Sequence, residues 1–401
     1  MRIERLRVQN FRSFREIDIQ LPAWGAVVGA NASGKSNFVQ VFRFLRDVVS
    51  EGFENAISLQ GGVDYLRNMR IGAHMPLQVE LSAIVPLPSS ESRPPVEARL
   101  DYSLEIRFAK RGRQYKVARE ECRLEPVDPH PDASLLALHG VRRENTVKWL
   151  HLPKVVRGFR SGTPLSSKEP IPADTSILRI YWGFLQVLWG RTSPLVEIYD
   201  FDPKLMKRAV PLGGRAVLEE DGSNLPVVLR EILSHKETRH ELLTLLGRFL
   251  PFVSHMGVQN MVDRSVLLQL YERYLPDQPI PSMLLSDGTV QLVALIVALW
   301  VAPASRRSVV IAEEPDRNLH PHLIEQLVAL FREISDRRQI LFTTHNPEVV
   351  RHTPVENLLL VSRDKEGFSV ISRPASNEQV QHFLKGEMGL DELFVENLLG
   401  A

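Results

Sequence analysis

Eight residues near the N-terminus constrain this chain more than any others: Gly29-Ala-Asn-Ala-Ser-Gly-Lys-Ser36. They spell G-x-x-x-x-G-K-S, a loop whose successive backbone N–H groups cradle phosphate oxygens. The flanks agree with that reading. A short apolar run, Ala26 to Val28, precedes the loop, and a segment with apolar residues at Phe38, Val41, Phe42 and Leu45 follows it. Strand, loop and helix in that order put the positive end of a helix dipole behind the phosphates. Gly29 and Gly34 let the backbone approach the oxygens closely. Lys35 is expected to reach the β- and γ-phosphates, and the Ser36 hydroxyl to hold Mg²⁺. Asn31 inside the loop and Asn37 just after it complete the expected nucleotide-binding set. The plain alternative is a Gly/Ser turn that spells the motif by chance.

Composition narrows the setting. The chain has 401 residues and a net charge of +1, so overall charge argues neither for nor against nucleic acid. The single cysteine, Cys122, excludes an intramolecular disulfide and a multi-cysteine metal site. The opening Met1-Arg-Ile-Glu-Arg-Leu-Arg7 alternates charge with apolar residues, unlike a signal peptide. The most apolar run, Leu292 to Pro303, is too short to span a bilayer and reads as a buried helix. The expectation is a cytoplasmic protein with no membrane partner.

Along the chain, residues 1–28 alternate as β-structure, and Gln60 to Arg67 forms a glycine-bearing loop before a strand at Leu77–Ile84. Between 86 and 175, strand-like runs at Leu100–Phe108, Tyr115–Leu124 and Thr146–Leu152 suggest an antiparallel meander. Residues 161–175 read as a mobile surface loop. Residues 176–280 read mostly as helix, at Ile177–Trp189, Leu225–Leu233 and His240–Leu250, with a strand near Val266–Tyr274. From 281 an α/β pattern returns. Helices are expected over Thr289–Trp300, Pro321–Glu333 and Pro347–Arg351. Strands are expected at Ser308–Ala312, Gln339–Thr344, Asn357–Val361 and Phe368–Ile371, followed by an amphipathic tail at Val380–Leu399. The division is 1–175, 176–280 and 281–401.

Three further segments carry chemistry. The run Val309-Val-Ile-Ala-Glu-Glu314 delivers two carboxylates at the end of a buried strand, where α/β sheets place metal and water chemistry. Glu313 is expected to coordinate Mg²⁺ and Glu314 to act as general base; ordinary surface acids are the alternative. Leu285-Ser-Asp-Gly-Thr289 opens a helix, and Ser286 and Gly288 could form a second anion site. His345, straight after an apolar strand, could contact a γ-phosphate, although a lone histidine is more often structural.

The order of these pieces resembles the ABC-type ATPase heads of the RecF/SMC/OLD group, above all its stand-alone AAA-type ATPases. Val8-Gln-Asn-Phe-Arg-Ser-Phe14 also resembles their opening "NFRSF" strand. The likeness covers 1–65 and 281–361 well. Between them it is weak, at Tyr199–Pro203 and Asp221–Leu225. The resemblance implies an α/β P-loop NTPase of ABC-ATPase head type: a mixed central sheet, an antiparallel β subdomain and an inserted helical lid. It assigns Walker A to Gly29–Ser36, the signature to Ser286–Gly288 and Walker B to Val309–Glu313. The catalytic glutamate is then Glu314, the D-loop Asp316–His320 and the switch histidine His345. The Q-loop glutamine, facing nucleotide and metal, falls on Gln60. Two departures stand out: the first Walker B acid is usually Asp, so Glu313 puts fast turnover in question, and the D-loop carries Asp316-Arg317.

The function implied is an ATP- and Mg²⁺-dependent switch. Two copies sandwich ATP, with Lys35 of one chain and Ser286 of the other on the γ-phosphate, in a DNA-related process: repair, recombination or anti-phage defence. No long coiled coil follows the P-loop helix, and residues 346–401 are too few for a Toprim nuclease, so a nuclease or effector is expected in trans. The alternatives are an ATP-gated nucleic-acid clamp and a transporter ATPase. The clamp would use Arg67, Arg70, Lys110, Arg111, Arg113, Lys116, Arg142 and Arg143 as a groove, against interspersed acids at Glu120, Glu121 and Glu144.

Overall fold

A computed structural model of the chain describes residues 1–87, 96–110, 112–128, 137–144, 146–151, 172–189, 194–213, 217–301, 309–378, 380 and 389–396. Most of the expected 161–175 loop and most of the 380–399 tail lie outside these residues, as do Ser308 and Leu152.

The expected N-terminal strands form as β1 (Arg2–Phe11), β2 (Phe14–Gln20) and β3 (Trp24–Val28). Beyond the first helices come β4 (Leu77–Leu87), β5 (Val96–Phe108), β6 (Tyr115–Pro126), β7 (Leu138–Arg143) and β8 (Thr146–His151). The middle of the chain adds β9 (Val196–Tyr199), β10 (Val210–Pro211), β11 (Val253–Asn260), β12 (Ser265–Glu272) and β13 (Leu275–Pro281). The C-terminal part supplies β14 (Val309–Glu313), β15 (Ile340–Thr344), β16 (Leu358–Arg363) and β17 (Ser369–Ser372). The longer helices are α1 (Lys35–Glu51), α2 (Phe53–Leu59), α3 (Ile177–Trp189), α4 (Leu225–Ser234), α5 (Lys236–Phe249), α6 (Asp287–Ile296) and α7 (Pro321–Ser335). Two short ones, α8 (Pro347–His352) and α9 (Leu390–Val395), follow.

One 13-stranded sheet runs β8-β7-β6-β5-β4-β1-β2-β17-β16-β3-β15-β14-β9. Its β16-β3-β15-β14-β9 portion is parallel, and the arm from β8 to β2 is antiparallel. The expected meander is therefore continuous with the nucleotide-loop sheet. The 176–280 segment is helical over α3, α4 and α5 as read. It also supplies β9, the edge of the large sheet, and a 4-stranded sheet made of β10 to β13.

Side-chain alternation explains why helices cover both faces of the parallel part. Val27, Val309, Ile311, Leu341, Leu359 and Val361 point into a core with α1 residues Phe38, Phe42 and Leu45. Ala26, Val28, Val310, Ala312, Ile340 and Phe342 point the other way, among α6 and α7 residues such as Leu292, Leu327 and Phe331. Strands buried on both faces read as continuous apolar runs, as Val309–Ala312 does. The described part of the apolar Leu292–Pro303 run, up to Val301, is buried apart from the half-buried Trp300: α6 passes into a π-helical turn at Val297–Val301. No helix among the described residues is long and apolar enough to cross a membrane.

Among the basic residues suggested for a groove, Lys110 and Arg143 are exposed, and several of the others are already engaged. Arg67 and Arg113 both pair with Asp64, at 3.0 and 3.1 Å, and Lys116 pairs with Glu144 at 3.0 Å. Arg70 lies over the Phe368 ring and donates to the Glu366 carbonyl. Arg142 is 1% exposed, with its guanidinium on the carbonyls of Glu144, Thr175 and Ala173. Arg111 lies outside the described residues.

Candidate nucleotide-binding site

Strand register brings the separate motifs to one edge. Thr344 on β15 lies opposite Val28 on β3, Glu313 on β14 opposite Thr343, and Tyr199 on β9 opposite Ala312. The residues that follow each strand, Gly29, His345, Glu314 and Asp200, therefore emerge together at the carboxyl edge. That is where open α/β sheets bind ligands.

The P-loop glycines are fixed by close packing. A Cβ on Gly29 would lie 2.3 Å from the Val361 carbonyl oxygen, and one on Gly34 would lie 2.2 Å from Ser369 Oγ. Gly34 also holds φ at 120°, in the left-handed region. Behind the loop, Ser369 Oγ donates to the Ser33 carbonyl at 2.6 Å and lies within hydrogen-bond distance of Ser13 Oγ, at 2.8 Å. Asn37 Nδ2 donates to the same Ser13 hydroxyl at 2.7 Å. Asn37 thus braces the loop from outside rather than facing into it. Asn31 is exposed at the loop tip and lines a cavity of about 340 Å³ with Phe394 of α9.

Lys35 lies folded over the loop, its ammonium donating to the carbonyls of Gly29 (2.8 Å) and Ala30 (3.1 Å). Burial lowers its pKa from the ordinary lysine value, and the Glu314 charge partly opposes that. An ammonium caged by loop carbonyls stands ready to exchange them for anionic oxygens.

Glu313 ends β14 with an 11% exposed side chain. Burial raises its pKa, opposed by Arg43 on α1, whose Nη2 is 3.2 Å away, and by a hydrogen bond from Ser36. One hydroxyl and one carboxylate near each other at the foot of a phosphate loop suit Mg²⁺, which takes few protein ligands beside substrate phosphates. Among the described residues no cluster of three His, Cys, Asp or Glu side chains offers an all-protein metal cage. Gln60, expected near the metal, is 3% exposed with its Oε1 accepting two N–H groups of Arg12, at 3.1 and 2.8 Å. A metal role for Gln60 requires that pair to open.

Glu314 turns out of β14 with φ 43°, its N–H held by the Thr343 carbonyl at 3.0 Å. Such a conformation in a non-glycine residue is paid for by surrounding structure and clusters at functional sites. His345 Nδ1 lies 3.1 Å from Oε1, and Arg317 contacts Oε2 through Nη2 (2.8 Å) and Nε (3.2 Å). Burial alone would raise this carboxyl; Arg317 and then His345 bring it below the usual glutamate value. Glu314 is thus an anion beside the phosphate loop, as a base must be.

Ser286 caps α6, its Oγ accepting the Thr289 N–H at 3.1 Å. A Cβ on Gly288 would lie 2.4 Å from the Asn318 carbonyl oxygen, so the start of α6 packs on the Asp316–His320 loop of its own chain. Neither makes a described hydrogen bond to Gly29–Ser36 of the same chain. Sequence reasoning assigned no role to Arg12, Arg43, Asp200 or Ser369. Arg12 and Asp200 had a visible signal, in the Val8–Phe14 and Tyr199–Pro203 segments; Arg43 and Ser369 had none.

The family described as "AAA domain, putative AbiEii toxin, Type IV TA system" matches residues 26–351. The chain belongs to this family. It shares the fold of the Smc head domain from Pyrococcus furiosus, solved bound to the C-terminal domain of ScpA. That match has a TM-score of 0.50 and 13% identity, and covers 96% of this chain and 99% of the other. This member of the AAA family therefore carries the P-loop fold of an SMC head. It is 26% identical over 190 residues to "Uncharacterized protein MJECL43" of Methanocaldococcus jannaschii, 45% of this chain and 49% of that one. It is 30% identical over 90 residues to "Septu protein PtuA" of Bacillus thuringiensis, 21% of this chain and 22% of that one. The matches span less than half the length of each of these relatives.

Proposed function

We infer that the chain is an Mg²⁺-dependent, ATP-hydrolysing switch that pairs with a second copy around ATP and drives a conformational change in a partner effector. Residues 1–175 and 281–401 form the two lobes of one head, and 176–280 is an insertion between them. Gly29, Asn31, Gly34, Lys35 and Ser36 bind the phosphates of one ATP, and Ser286 and Gly288 those of the ATP held by the other copy. Ser36 and Glu313 hold Mg²⁺, which neutralises charge on the β- and γ-oxygens when bound. Glu314 takes the proton of the attacking water as its oxygen bonds to the γ-phosphorus and the bond to the bridging oxygen breaks. His345 senses the γ-phosphate. The setting is the cytoplasm, in a DNA-related process, with anti-phage defence favoured.

The observation that carries this reading is Glu314, an anion in a left-handed turn beside the phosphate loop, with His345 on one oxygen. The defence setting is supported by the local similarity to Septu protein PtuA. The clamp reading is the second choice because Arg67, Arg113 and Lys116 of the arm are paired with acids and Arg142 is buried.

The test pairs two substitutions. Lys35→Ala should abolish binding of a fluorescent ATP analogue; unchanged binding refutes the P-loop assignment. Glu314→Gln should bind ATP, lose hydrolysis by roughly a hundredfold or more, and accumulate as an ATP-bound dimer in light scattering. Wild-type turnover in that variant removes Glu314 as the base.

A further inference from the structure

Both oxygens of the Glu314 carboxylate are engaged. A carboxylate acts as general base only through a lone pair that water can reach, and its basicity falls with each donor it accepts. His345 meets Oε1 at 3.1 Å, while Arg317 places two N–H groups on Oε2, at 2.8 and 3.2 Å. The backbone of the pair is fixed: the Arg317 N–H bonds the Glu314 carbonyl at 3.1 Å, and Gln291 of α6 donates to the carbonyls of Glu314 and Pro315, each at 3.3 Å. The Arg317 side chain is not fixed in the same way, since 47% of it is exposed. A second acid lies within its electrostatic reach. Asp200, released from the edge strand β9 at the same sheet edge, stabilises the Arg317 cation and repels the Glu314 charge.

We propose that Arg317 is a positioning residue that restrains Glu314, and that its transfer from Glu314 to Asp200 frees an oxygen of the base for water. The idea rests on the assignment of Glu314 as base. It follows from one half-exposed cation on a doubly engaged carboxylate, with a second acid emerging at the same sheet edge. The location suits control by a second copy. Residue 317 belongs to the Asp316–His320 loop, and the next residue, Asn318, has its carbonyl against Gly288 of the signature. The signature segment is thereby in direct contact with the loop that carries Arg317.

The experiment is steady-state ATP hydrolysis by the full chain, with Arg317→Ala, Asp200→Asn, the double variant and Glu314→Gln compared with wild type. Arg317→Ala should raise kcat by about two- to fivefold, the scale of losing one half-exposed ion pair. The KM for ATP should stay within about twofold, because Arg317 grips no phosphate-loop residue. Asp200→Asn should lower kcat by a similar factor, since Arg317 then has no second carboxylate. The double variant should match Arg317→Ala alone. This dependence is decisive, because the Asp200 charge also reaches Glu313 and a direct effect there would persist without Arg317. A folded Arg317→Ala protein that binds ATP but turns over at or below the wild-type rate overturns the proposal. So does an Asp200→Asn loss that is undiminished in the double variant. Should Arg317→Ala fail to fold, Arg317→Lys, a cation without the fork, should still show a smaller rise in kcat; none overturns the proposal. Glu314→Gln separates the two readings. An inactive Glu314→Gln with no acceleration by Arg317→Ala sinks only the restraint, whereas wild-type turnover in Glu314→Gln sinks both.

Discussion

Gly34 shows how much one position can be asked to do. Its φ of 120° is strained for any side chain, and its missing Cβ leaves the space that Ser369 uses to hold Ser33 and Ser13. Gly34→Ala should destabilise the chain by about 1–3 kcal/mol, the range for a forced left-handed residue plus overpacking. It should also weaken ATP binding by on the order of tenfold or more, because a displaced loop misaims its N–H groups. Adding Ser369→Gly should recover part of the stability but not the strain. Chemical denaturation and titration with an ATP analogue check both, and a Gly34→Ala protein with wild-type affinity would contradict the argument. The glycine was legible from sequence because the loop motif spells it. The serine behind it was not, because Ser369 meets Ser13 across 356 residues and a serine in a strand carries no local mark of such a role. The same holds for Arg12 on Gln60 and Arg43 on Glu313, contacts made by the fold rather than by spacing.

Elements were readable where their pattern was strong. The alternation of β1, β4, β5 and β6 and the apolar runs of β14 and β15 announced strands that formed. Missed strands had weak signals for identifiable reasons. Strand β13 carries three prolines and is exposed along most of its length, pairing only with β12. Strand β7 has Gly140 in its interior, which lowers β-propensity; the glycine is needed because the Trp149 ring lies 2.5 Å from where its Cβ would be. The arm containing β7 is pinned to the start of α3 by a buried cluster. Glu120, 0% exposed, accepts from Tyr102 at 3.0 Å and from Ser176, with Arg142 at 3.8 Å. Glu120→Ala should cost about 3 kcal/mol or more, since it strands Arg142 and two hydroxyl donors. Glu120→Gln, which keeps an acceptor, should cost less. Burial raises the Glu120 carboxyl above its ordinary value despite Ser176, Arg142 and Tyr102. The folded chain therefore binds this proton more tightly than the unfolded chain. The stability it contributes is complete below the ordinary glutamate value and is lost as pH rises through the raised one. Glutamine cannot ionise, so Glu120→Gln should compare best with wild type at higher pH; denaturation over a pH series rising from the ordinary glutamate value tests this.

At the scale of the whole molecule, the site joins parts of the chain that are far apart in sequence. The phosphate loop follows β3, Glu313 and Glu314 end β14, His345 follows β15, and these strands are neighbours in one sheet. A ligand gripping both the loop and the β14 end should stabilise the native sheet as a unit, by about 2.7 kcal/mol at a hundredfold excess over Kd. The signature adds a distinction. Ser286 is exposed, and its described hydrogen bonds stay within α6 rather than reaching the phosphate loop of its own chain. If each ATP is gripped by one chain alone, the thermal shift caused by MgATP is independent of protein concentration. If a second copy supplies Ser286, dimer formation is linked to binding and the shift grows as protein concentration rises. The measurement is thermal unfolding of Glu314→Gln with MgATP across a hundredfold range of protein concentration. The expected outcome is an upward shift of a few °C or more that increases with concentration. It should vanish in Lys35→Ala and lose its concentration dependence, while keeping the shift itself, in Ser286→Arg. That side chain at an exposed cap should leave the head's own ATP binding intact and obstruct the approach of a partner. A shift that is equally large at every concentration would leave the P-loop assignment standing and remove the sandwich.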